Sequence, residues 1–420
     1  MWPNGDALHY HEYATKDGVR HGAEQLLLDL HEITGWPLAM SPLSRPIGLT
    51  SSEGKVSLEP GSQLELSTEP LIDLDALVDS SCFYERQVNK IAGPWGLKWI
   101  GLGLNPTARV EEIDVIPSPR YHFMTDYLGK RGRLATRMMR LTSSVQINLD
   151  YDTEVEGMEM LRAALLMAPL SYALFGNSPF SEGKVSEFLS ARGEIWLETD
   201  SDRTGLLSQV FDESFNFASY AKLVWECPLM FAQDEKGEYV PARGLSLADI
   251  SKGKLPGVIV DAANRMNAIR EIFTEARLKP GYVEIRSVDG QRPDMRYAST
   301  AFWMGVLYHS PARQWVLENL GKNSPETQHR WLVESMKHGL AAKVSGIDSV
   351  KIAEQLFSLA REGLIERAVG EARFLKPLEA MIQARTNPAQ TVLNKFKTEW
   401  NGDWAKLIDY CSICTEEIKT

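Results

Sequence analysis

Three segments of the chain alternate apolar and polar side chains with a period of two, which is the pattern of a half-buried β-strand. The segment 57–67 reads SLEPGSQLELS, the segment 141–151 reads LTSSVQINLDY, and a third run covers 283–289 and ends at the turn signal Asp289-Gly290. Leucine, valine and isoleucine occupy one side of these segments, whereas carboxylate, carboxamide and guanidinium side chains occupy the other. We therefore predict strands that pack one face on a core and keep the other face polar.

Helical periodicity separates these strands in the first part of the chain and dominates the rest. The predicted helices cover 22–34, 71–91, 154–175, 301–309, 325–345, 349–361, 377–385 and 388–403. A short apolar strand is also predicted at 97–103. Antiparallel strands with helices on one side are typical of an α+β fold. We expect a single large domain over 1–420, with a mixed sheet and helix part (1–300) and a helical part (301–420) packed on it.

The polar faces of the three strands carry mostly oxygen ligands. Residues 55–67 are predicted as either a strand pair or one strand with a bend at Pro60-Gly61. If the segment is regular through Pro60, the polar positions of the three strands are Glu59, Gly61, Gln63, Glu65, Gln146, Asn148, Asp150, Glu284 and Arg286. Any half-solvated antiparallel sheet alternates in this way, so a plain solvent-facing surface remains an alternative. Magnesium prefers oxygen ligands and is often held by one or two carboxylates together with substrate phosphates. The pattern favours a site for Mg²⁺ and ATP on the sheet.

Several arginines lie beside the predicted loops and strand ends, where they can balance phosphate charge. A guanidinium group binds carboxylates or phosphates in a bidentate manner, although a surface ion pair is the alternative for each arginine. These residues are Arg120, Arg192, Arg203 and Arg286. The basic run 130–140 has the same two interpretations, a solvated surface or a cluster that meets an anionic substrate.

Composition excludes several classes of protein. The net charge of −11 disfavours binding to nucleic acids or to anionic membranes. The four cysteines do not make a disulfide framework, and the C-x-x-C of Cys411 and Cys414 lacks the second pair of a zinc site.

The apolar run 163–175 is too short to span a bilayer and contains Pro169, so we expect a buried helix and a cytoplasmic protein. Neither a G-x-x-x-x-G-K-[ST] loop nor a G-x-S-x-G elbow is present, so a nucleotide would bind on the sheet.

Six ordered motifs between about residues 56 and 400 resemble the glutamate–cysteine ligases of the plant and proteobacterial type. SLEPGSQLELS is similar to the family's S-L-E-P-G-G-Q-F-E-L-S, and SSVQINLDY to its C-T-V-Q-V-N-L-D-F. The longest match begins ALFGNSPFSEGKVSEFLSARGEIWLETDSDRTGLL, and RLKPGYVEIRSVDG, TAFWMGVLYH and EARFLKPLEA follow in order. The resemblance implies a glutamine-synthetase-like antiparallel sheet that forms the floor of an ATP and Mg²⁺ site, with helices on its other face.

The activity implied by the resemblance is an ATP-dependent ligation of L-glutamate to L-cysteine, the first step of glutathione synthesis, through a γ-glutamyl phosphate. By matching position, the resemblance implies that the metal is held by Glu59, Gln63, Glu65 and Glu284 and that ATP is bound by Gln146, Asn148 and Arg286. It also implies that glutamate is bound by Arg192 and Trp196 and that Arg120 and Met230 lie at the acceptor. Arg203 and Arg286 would act as catalytic cations. Such chemistry depends on positioning and electrostatic stabilisation and requires no protein nucleophile.

Two departures from the family keep other functions open. The family begins with a strand carrying G-T-E-H-E-K, whereas here at best Glu12 matches the second glutamate and Tyr10 replaces the first. The family's V-P-M-Y-F is CPLMF here, which puts Met230 in place of an aromatic hydroxyl. A γ-glutamyl ligase for another amine and a ligand-binding homologue without turnover are therefore alternatives. The protein is expected to be a monomer or a homodimer.

Overall fold

A computed structural model describes residues 1–15, 18–52 and 54–413. Its α-helices are Ala23–Thr34 (α1), Leu74–Trp95 (α2), Pro119–Leu128 (α3), Ala135–Leu141 (α4), Glu154–Phe175 (α5), Ala191–Leu197 (α6), Phe217–Glu226 (α7), Leu247–Ile250 (α8), Ala262–Arg270 (α9), Pro293–Leu307 (α10), Ser310–Leu320 (α11), Pro325–His338 (α12), Ser349–Glu366 (α13), Lys376–Gln383 (α14), Pro388–Thr398 (α15) and Trp404–Cys411 (α16). Short 3-10 turns occur at Val110–Glu112, Ser208–Phe211, Gly339–Ala341 and Glu371–Leu375.

The strands form several small sheets. They are Tyr13–Thr15 (β1), Gly18–Arg20 (β2), Leu38–Met40 (β3), Pro46–Ser51 (β4), Gly54–Leu58 (β5), Leu64–Thr68 (β6), Ser144–Asp150 (β7), Phe180–Ser181 (β8), Lys184–Val185 (β9), Thr204–Gly205 (β10), Phe231–Gln233 (β11), Tyr239–Pro241 (β12), Phe273–Thr274 (β13), Ala276–Lys279 (β14), Tyr282–Asp289 (β15), Lys343–Val344 (β16) and Ile347–Asp348 (β17). One antiparallel sheet has the order β3-β4-β5-β6, and another has the order β14-β15-β7. The predicted strands therefore belong to two sheets.

Helix α5 forms the centre of the largest core. It begins where the Thr153 side chain accepts a hydrogen bond from the Glu156 N–H, and it packs against β15, α11 and α12. Its length and composition would allow it to cross a membrane, but 89% of its most apolar window is buried inside the protein. This burial is typical of a core helix, which confirms the interpretation of the run 163–175.

Several predicted elements differ from the structure. The segment 97–103 is irregular and makes a single bridge, between Ile100 and Ser412. The helix predicted over 325–345 ends at His338, and the hairpin of β16 and β17 follows it. By contrast, the predicted bounds of α5 are confirmed.

Candidate active site

The segment 57–67 folds as a hairpin. Strands β5 and β6 are joined by a turn in which the Glu59 N–H donates to the Gln63 carbonyl oxygen (2.8 Å). Ser62 adopts a left-handed backbone with φ 66°, which is common at the end of a three-residue hairpin loop. The prediction of a strand pair over 55–67 is therefore confirmed, and the alternative of a strand that continues regularly through Pro60 is wrong, because the chain reverses direction there.

The hairpin nevertheless brings together two of the predicted carboxylates. Ser57 pairs with Glu65, so Glu59 and Glu65 are diagonal neighbours on one face of the two strands. Such neighbours lie about 7–8 Å apart. Glu59 and Glu65 are called the hairpin pair below.

Gln63 is held within the protein. Its side-chain Oε1 accepts a hydrogen bond from the Gly61 N–H (2.8 Å), and its Nε2 donates to the carbonyl oxygens of Met139 (3.2 Å) and Thr142 (3.1 Å). Gly61 itself lies against helix α4, since a Cβ at this position would be 2.3 Å from the Arg140 carbonyl oxygen. Gln63 therefore fastens the hairpin to the connection between α4 and β7. Its assignment as a metal ligand stays a prediction, and this geometry favours a scaffolding role.

The surroundings of the hairpin pair oppose the ionisation of Glu59. Burial and the neighbouring Glu65 carboxylate raise the pKa of Glu59 to about 7, although Arg120 and Arg286 act in the opposite direction. The Tyr121 hydroxyl accepts a hydrogen bond from Arg120 (2.6 Å) and donates one to Glu59 (3.4 Å). Arg120 thus reaches the pair through Tyr121, which is not among the predicted site residues. Two carboxylates that resist simultaneous ionisation can accept a divalent cation.

Strands β7, β14 and β15 present one polar face. Its members are Gln146, Asn148, Asp150, Arg277, Lys279, Tyr282, Glu284 and Arg286. Gln146 and Asn148 are exposed, whereas Ile147 and Leu149 between and beyond them are buried in the core. The alternation predicted for β7 is confirmed. On β15 both faces are buried, because side chains of the polar face cover one another.

Glu284 lies among three cations. Its carboxylate oxygens are 2.6 Å from Arg286 Nη1, 2.8 Å from Arg277 Nη2 and 2.7 Å from Lys279 Nζ. Burial alone would raise the pKa of Glu284, but these positive charges outweigh burial and hold the pKa well below its usual range. Arg277, Lys279 and Arg286 are called the cation cluster below. A divalent ion at Glu284 would meet like charge, so the geometry does not favour the predicted role of Glu284 as a metal ligand.

Arg277 and Lys279 were not among the predicted site residues. They belong to RLKPGYVEIR, a motif quoted for the resemblance, and they precede the turn at Pro280. The register of β14 places Arg277 directly opposite Glu284. Alternation continued back across this turn would have identified both residues.

Arg286 connects the cation cluster with the hairpin pair. It pairs with Glu284, lowers the pKa of Glu59, and lies over the ring of Trp196, with 5.1 Å between the guanidinium carbon and the ring centroid. Phe273 contacts the same indole edge-on, at 5.6 Å between centroids. The indole Nε1 of Trp196 is buried and has no hydrogen-bond partner in the part of the chain that the structure describes.

Arg192, which is predicted to bind glutamate, lies in the interior of the protein. It is 1% exposed, donates to the Arg286 carbonyl oxygen (2.8 Å) and lies 3.5 Å from the Asp289 carboxylate. Asp289 also accepts hydrogen bonds from the Ser178 and Ser190 hydroxyls. Arg192 therefore fixes the backbone of β15 in this conformation, and its binding of glutamate stays a prediction.

Arg203 forms an internal ion-pair network. Its Nε is 2.8 Å from Asp200, its Nη1 is 3.3 Å from Glu271, and its Nη2 donates to the Pro228 carbonyl oxygen (2.5 Å). Because its side chain is fully buried and these partners occupy it, it is not free to meet a phosphate in this conformation. These contacts favour a structural role for Arg203, and its catalytic role stays a prediction.

Met230 also lies inside the protein. It is 1% exposed, belongs to the same apolar cluster as Phe231 and Tyr121, and its N–H donates to Glu271 (2.8 Å). Its burial does not favour direct contact with an acceptor, and the assignment of Met230 to the acceptor site stays a prediction.

The two N-terminal positions that differ from the family do not join the hairpin pair. The Tyr10 hydroxyl donates to the Pro46 carbonyl oxygen (2.8 Å), and the ring is buried. Glu12 is exposed and lies 3.5 Å from His21. Neither residue belongs to a strand.

Most arginines of the basic run 130–140 form surface ion pairs. Arg131 pairs with Asp202 (2.7 Å), and Arg137 pairs with Glu182 (2.7 Å). Arg133 pairs in the same way with Glu194 and Glu198. These contacts support the interpretation as a solvated surface.

The cysteines have structural surroundings. Cys82, Cys227 and Cys411 are buried, and burial raises the pKa of the Cys411 thiol to about 12. Cys414, the other half of the C-x-x-C, lies outside the described residues.

The four predicted metal ligands do not meet at one point. Across residues 1–15, 18–52 and 54–413, no group of three histidine, cysteine, aspartate or glutamate side chains is arranged to hold a metal. The hairpin pair still fits Mg²⁺, which is commonly bound by one or two carboxylates with phosphate oxygens completing the coordination. The observation that supports this fit is the position of Glu59 and Glu65 on one face of the hairpin, and the raised pKa of Glu59 agrees with it.

Known proteins resemble the chain along nearly its whole length. The family model for glutamate–cysteine ligase family 2 matches residues 9–409. The chloroplastic glutamate–cysteine ligase of Arabidopsis thaliana is 34% identical over 92% of this chain and 73% of its own length. Those of Brassica juncea and Medicago truncatula are 35% and 33% identical, again over 92% of this chain, and are covered over 74% and 75% of their lengths.

A solved structure has a similar fold. The crystal structure of glutamate–cysteine ligase from Francisella tularensis in complex with AMP superimposes with a TM-score of 0.52 over 85% of this chain and 80% of that protein, at 13% identity. The likeness confirms a mixed helix and sheet architecture. The chain belongs to glutamate–cysteine ligase family 2.

Proposed function

We propose that this protein is an ATP-dependent ligase that joins the γ-carboxylate of L-glutamate to the amino group of L-cysteine, the first step of glutathione synthesis. Membership of the family supports the reaction. The observation in the structure that carries it is the position of Arg286, which contacts Glu284 on the sheet and acts on Glu59 in the hairpin. A carboxylate-rich group and a cation-rich group are thus adjacent.

The reaction proceeds in two transfers. The γ-phosphoryl group of ATP moves to the γ-carboxylate of glutamate, which forms an acyl phosphate and releases ADP. The amine of cysteine then attacks the acyl carbon, phosphate leaves, and the amine loses a proton. Each step develops charge on oxygen atoms, so preorganised cations lower its barrier without a covalent enzyme intermediate.

The residues divide these tasks by charge. Glu59 and Glu65 would hold Mg²⁺, which neutralises and orients the phosphates. The glutamine-synthetase-like floor would be the polar face of β7, β14 and β15, where the exposed Gln146 and Asn148 side chains can donate hydrogen bonds to the nucleotide. Arg286 can stabilise the transferred group. Trp196 provides an apolar wall beside Arg286 with one unpartnered indole N–H.

The acceptor is best taken as cysteine. The alternative of another amine rests on Met230, and the burial of this side chain does not favour direct contact with an acceptor. The division of the domain near residue 300, the cytoplasmic location and the choice between monomer and homodimer stay predictions.

The test is a direct assay of the purified protein. ADP release is measured with Mg²⁺, ATP and glutamate, with cysteine and with a panel of other amines, and the product is identified by mass. We expect cysteine-dependent release of ADP and formation of γ-glutamylcysteine. Preference for another amine would favour the alternative ligase, and nucleotide binding without any amine-dependent turnover would favour the ligand-binding homologue.

A further inference from the structure

Asp289, the last residue of β15, lies where three segments of the chain meet. Its carboxylate is fully buried and accepts hydrogen bonds from the Asn177 N–H (2.8 Å) and the Ser178 hydroxyl (2.7 Å) with Oδ2, and from the Ser190 hydroxyl (3.0 Å) with Oδ1. Asn177 and Ser178 follow α5, whereas Ser190 immediately precedes α6. Burial of a carboxylate costs free energy unless donors or cations compensate for it. The donors of Asp289 therefore join β15 to the segment after α5 and to the start of α6.

The hydroxyl groups of Ser178 and Ser190 connect this carboxylate to helix α6. Because both hydroxyls donate to Asp289, their oxygen lone pairs remain available to accept hydrogen bonds. The Ser178 oxygen accepts from the Arg192 N–H (3.0 Å). The Ser190 oxygen accepts from the Gly193 N–H (3.1 Å). These N–H groups lie in the first turn of α6, where a helix offers them no partner of its own, so Asp289 controls the capping of α6 through the two hydroxyls.

Helix α6 carries both residues that are predicted to bind glutamate. The Arg192 guanidinium carbon lies 5.7 Å from the centroid of the Trp196 ring, and the half-buried indole also contacts Arg286. Arg192 Nη1 is 3.5 Å from Asp289, so the two groups attract each other by charge. The Nε and Nη1 atoms of Arg192 have no hydrogen-bond partner among the residues that the structure describes. Buried donors of this kind are completed by a ligand or a water molecule, which agrees with the predicted role of Arg192.

The charges around Asp289 indicate how a neutral replacement would behave. Burial raises the pKa of Asp289, whereas Arg192 and the three hydrogen bonds described above act in the opposite direction. Burial also raises the pKa of Glu275, and the Tyr172 hydroxyl, which donates to it (2.8 Å), and Arg192 are among the groups that act against this shift. Arg192 therefore keeps a second carboxyl group nearby when Asp289 is replaced by asparagine, so this variant is expected to fold.

We propose that Asp289 is a positioning residue for glutamate binding, because it holds α6 in the position that presents Arg192 and Trp196 to the substrate. The inference deepens the proposed function and rests on it. Asp289 is fully buried and acts through the hydroxyls of Ser178 and Ser190 rather than by contact with the substrate. Because ATP and cysteine are assigned to other elements, a change at Asp289 should affect the binding of glutamate selectively.

The experiment measures kcat and the KM values for glutamate, ATP and cysteine in the wild-type protein and three variants. Asp289→Asn replaces one acceptor oxygen by an N–H donor, which faces a donor in either orientation of the amide. Gly103→Ala keeps the carboxylate but displaces it, since a Cβ at this position would be 2.5 Å from Asp289 Cγ. Asp403→Ala is the matched control, because the Asp403 side chain caps another helix, α16.

Both variants at the site should raise the KM for glutamate. We expect an increase of about tenfold or more, because small displacements of groups that orient a substrate have effects of this size. The KM values for ATP and cysteine should change little in Asp289→Asn and Gly103→Ala. Asp403→Ala should keep all three KM values of the wild-type protein.

Two results would overturn the proposal. A lower kcat or a smaller folded fraction with an unchanged KM for glutamate would show that Asp289 only stabilises the protein. An equal increase in all three KM values, or the same increase in Asp403→Ala, would show that the effect on glutamate is not specific. If the wild-type protein releases no ADP with glutamate and cysteine, the proposed function is what fails. Glutamate binding measured by calorimetry then tests the role of Asp289, and equal affinity of wild-type and Asp289→Asn proteins refutes it.

Discussion

The hairpin pair and Glu284 contain the same kind of side chain in opposite electrostatic surroundings. In the hairpin, two carboxylates share a face, and burial with mutual repulsion raises the pKa of Glu59 to about 7. On the sheet, one carboxylate meets three cations, and its pKa is held well below the usual range. Burial and repulsion between carboxylates dominate the first arrangement, although Arg120 and Arg286 lie near it, whereas attraction to three cations dominates the second. A magnesium–nucleotide complex contains a divalent cation, which the carboxylates of the hairpin pair can bind, and anionic phosphates, which the cation cluster can bind. Two groups of opposite character can therefore bind one ligand.

The largest expected difference between Glu284 and Glu59 is in how much each carboxylate stabilises the folded protein. Glu284→Ala leaves three cations without their common partner, and removal of one member of a buried ion pair typically costs about 3–5 kcal/mol. Glu59→Ala removes a carboxylate whose ionisation the fold opposes, so the free energy of unfolding at pH 8 should change far less or even increase. Urea unfolding followed by circular dichroism measures both. Equal losses in the two variants would contradict the contrast.

A smaller effect is expected from displacing the hairpin pair without touching its carboxylates. Gly61→Ala places a Cβ 2.3 Å from the Arg140 carbonyl oxygen, so the hairpin must shift, at a cost of about 1–3 kcal/mol. The thermal midpoint and the magnesium requirement should both change. Gly93→Ala is the control, because a Cβ there meets nothing within 4 Å and alanine favours a helix. Wild-type behaviour of Gly61→Ala would show that the close contact is not limiting.

The smallest expected effect is on the pH dependence of stability, which should have opposite sign for Glu59 and Glu284. The pKa of Glu59 is raised in the folded state, so its contribution to stability is complete below about pH 4.5 and is lost as the pH rises through about 7. The pKa of Glu284 is lowered, so its contribution is complete above about pH 4.5 and is lost as the pH falls below that value. Relative to wild type, Glu59→Gln should therefore become more stable as the pH rises from 5 to 8. Unfolding curves at the two pH values test this, and a gain of the opposite sign would contradict the raised pKa.

The sequence predicted the site wherever local alternation was sufficient. The polar side of β7 is determined by the alternation of Ile147 and Leu149 with their polar neighbours, which is visible in the sequence alone. The bounds of α5 follow similarly from a continuous apolar run with a cap at Thr153. Hydrophobic periodicity determines which side of an element faces the core.

The remaining features depend on partners distant in the chain. Gln63 is turned inward by carbonyl groups of Met139 and Thr142, and Arg203 is occupied by Glu271, none of which can be paired from spacing. The cation cluster depends on the antiparallel register of β14 with β15, which places Arg277 opposite Glu284 across a turn. The sequence therefore indicated that charged residues gather in this region, but not which of them neutralise one another.

The most direct test of the central claim is the free Mg²⁺ concentration that gives half-maximal ADP release at saturating ATP, glutamate and cysteine. It is compared for wild-type, Glu65→Gln, Glu284→Gln and the control Glu69→Gln, whose exposed glutamate lies just beyond β6. We expect Glu65→Gln to raise this concentration at least about tenfold, as loss of a metal ligand does, while Glu284→Gln and Glu69→Gln keep the wild-type value. A large increase in Glu284→Gln, or none in Glu65→Gln, would contradict the separation of a metal-binding hairpin from a phosphate-binding sheet.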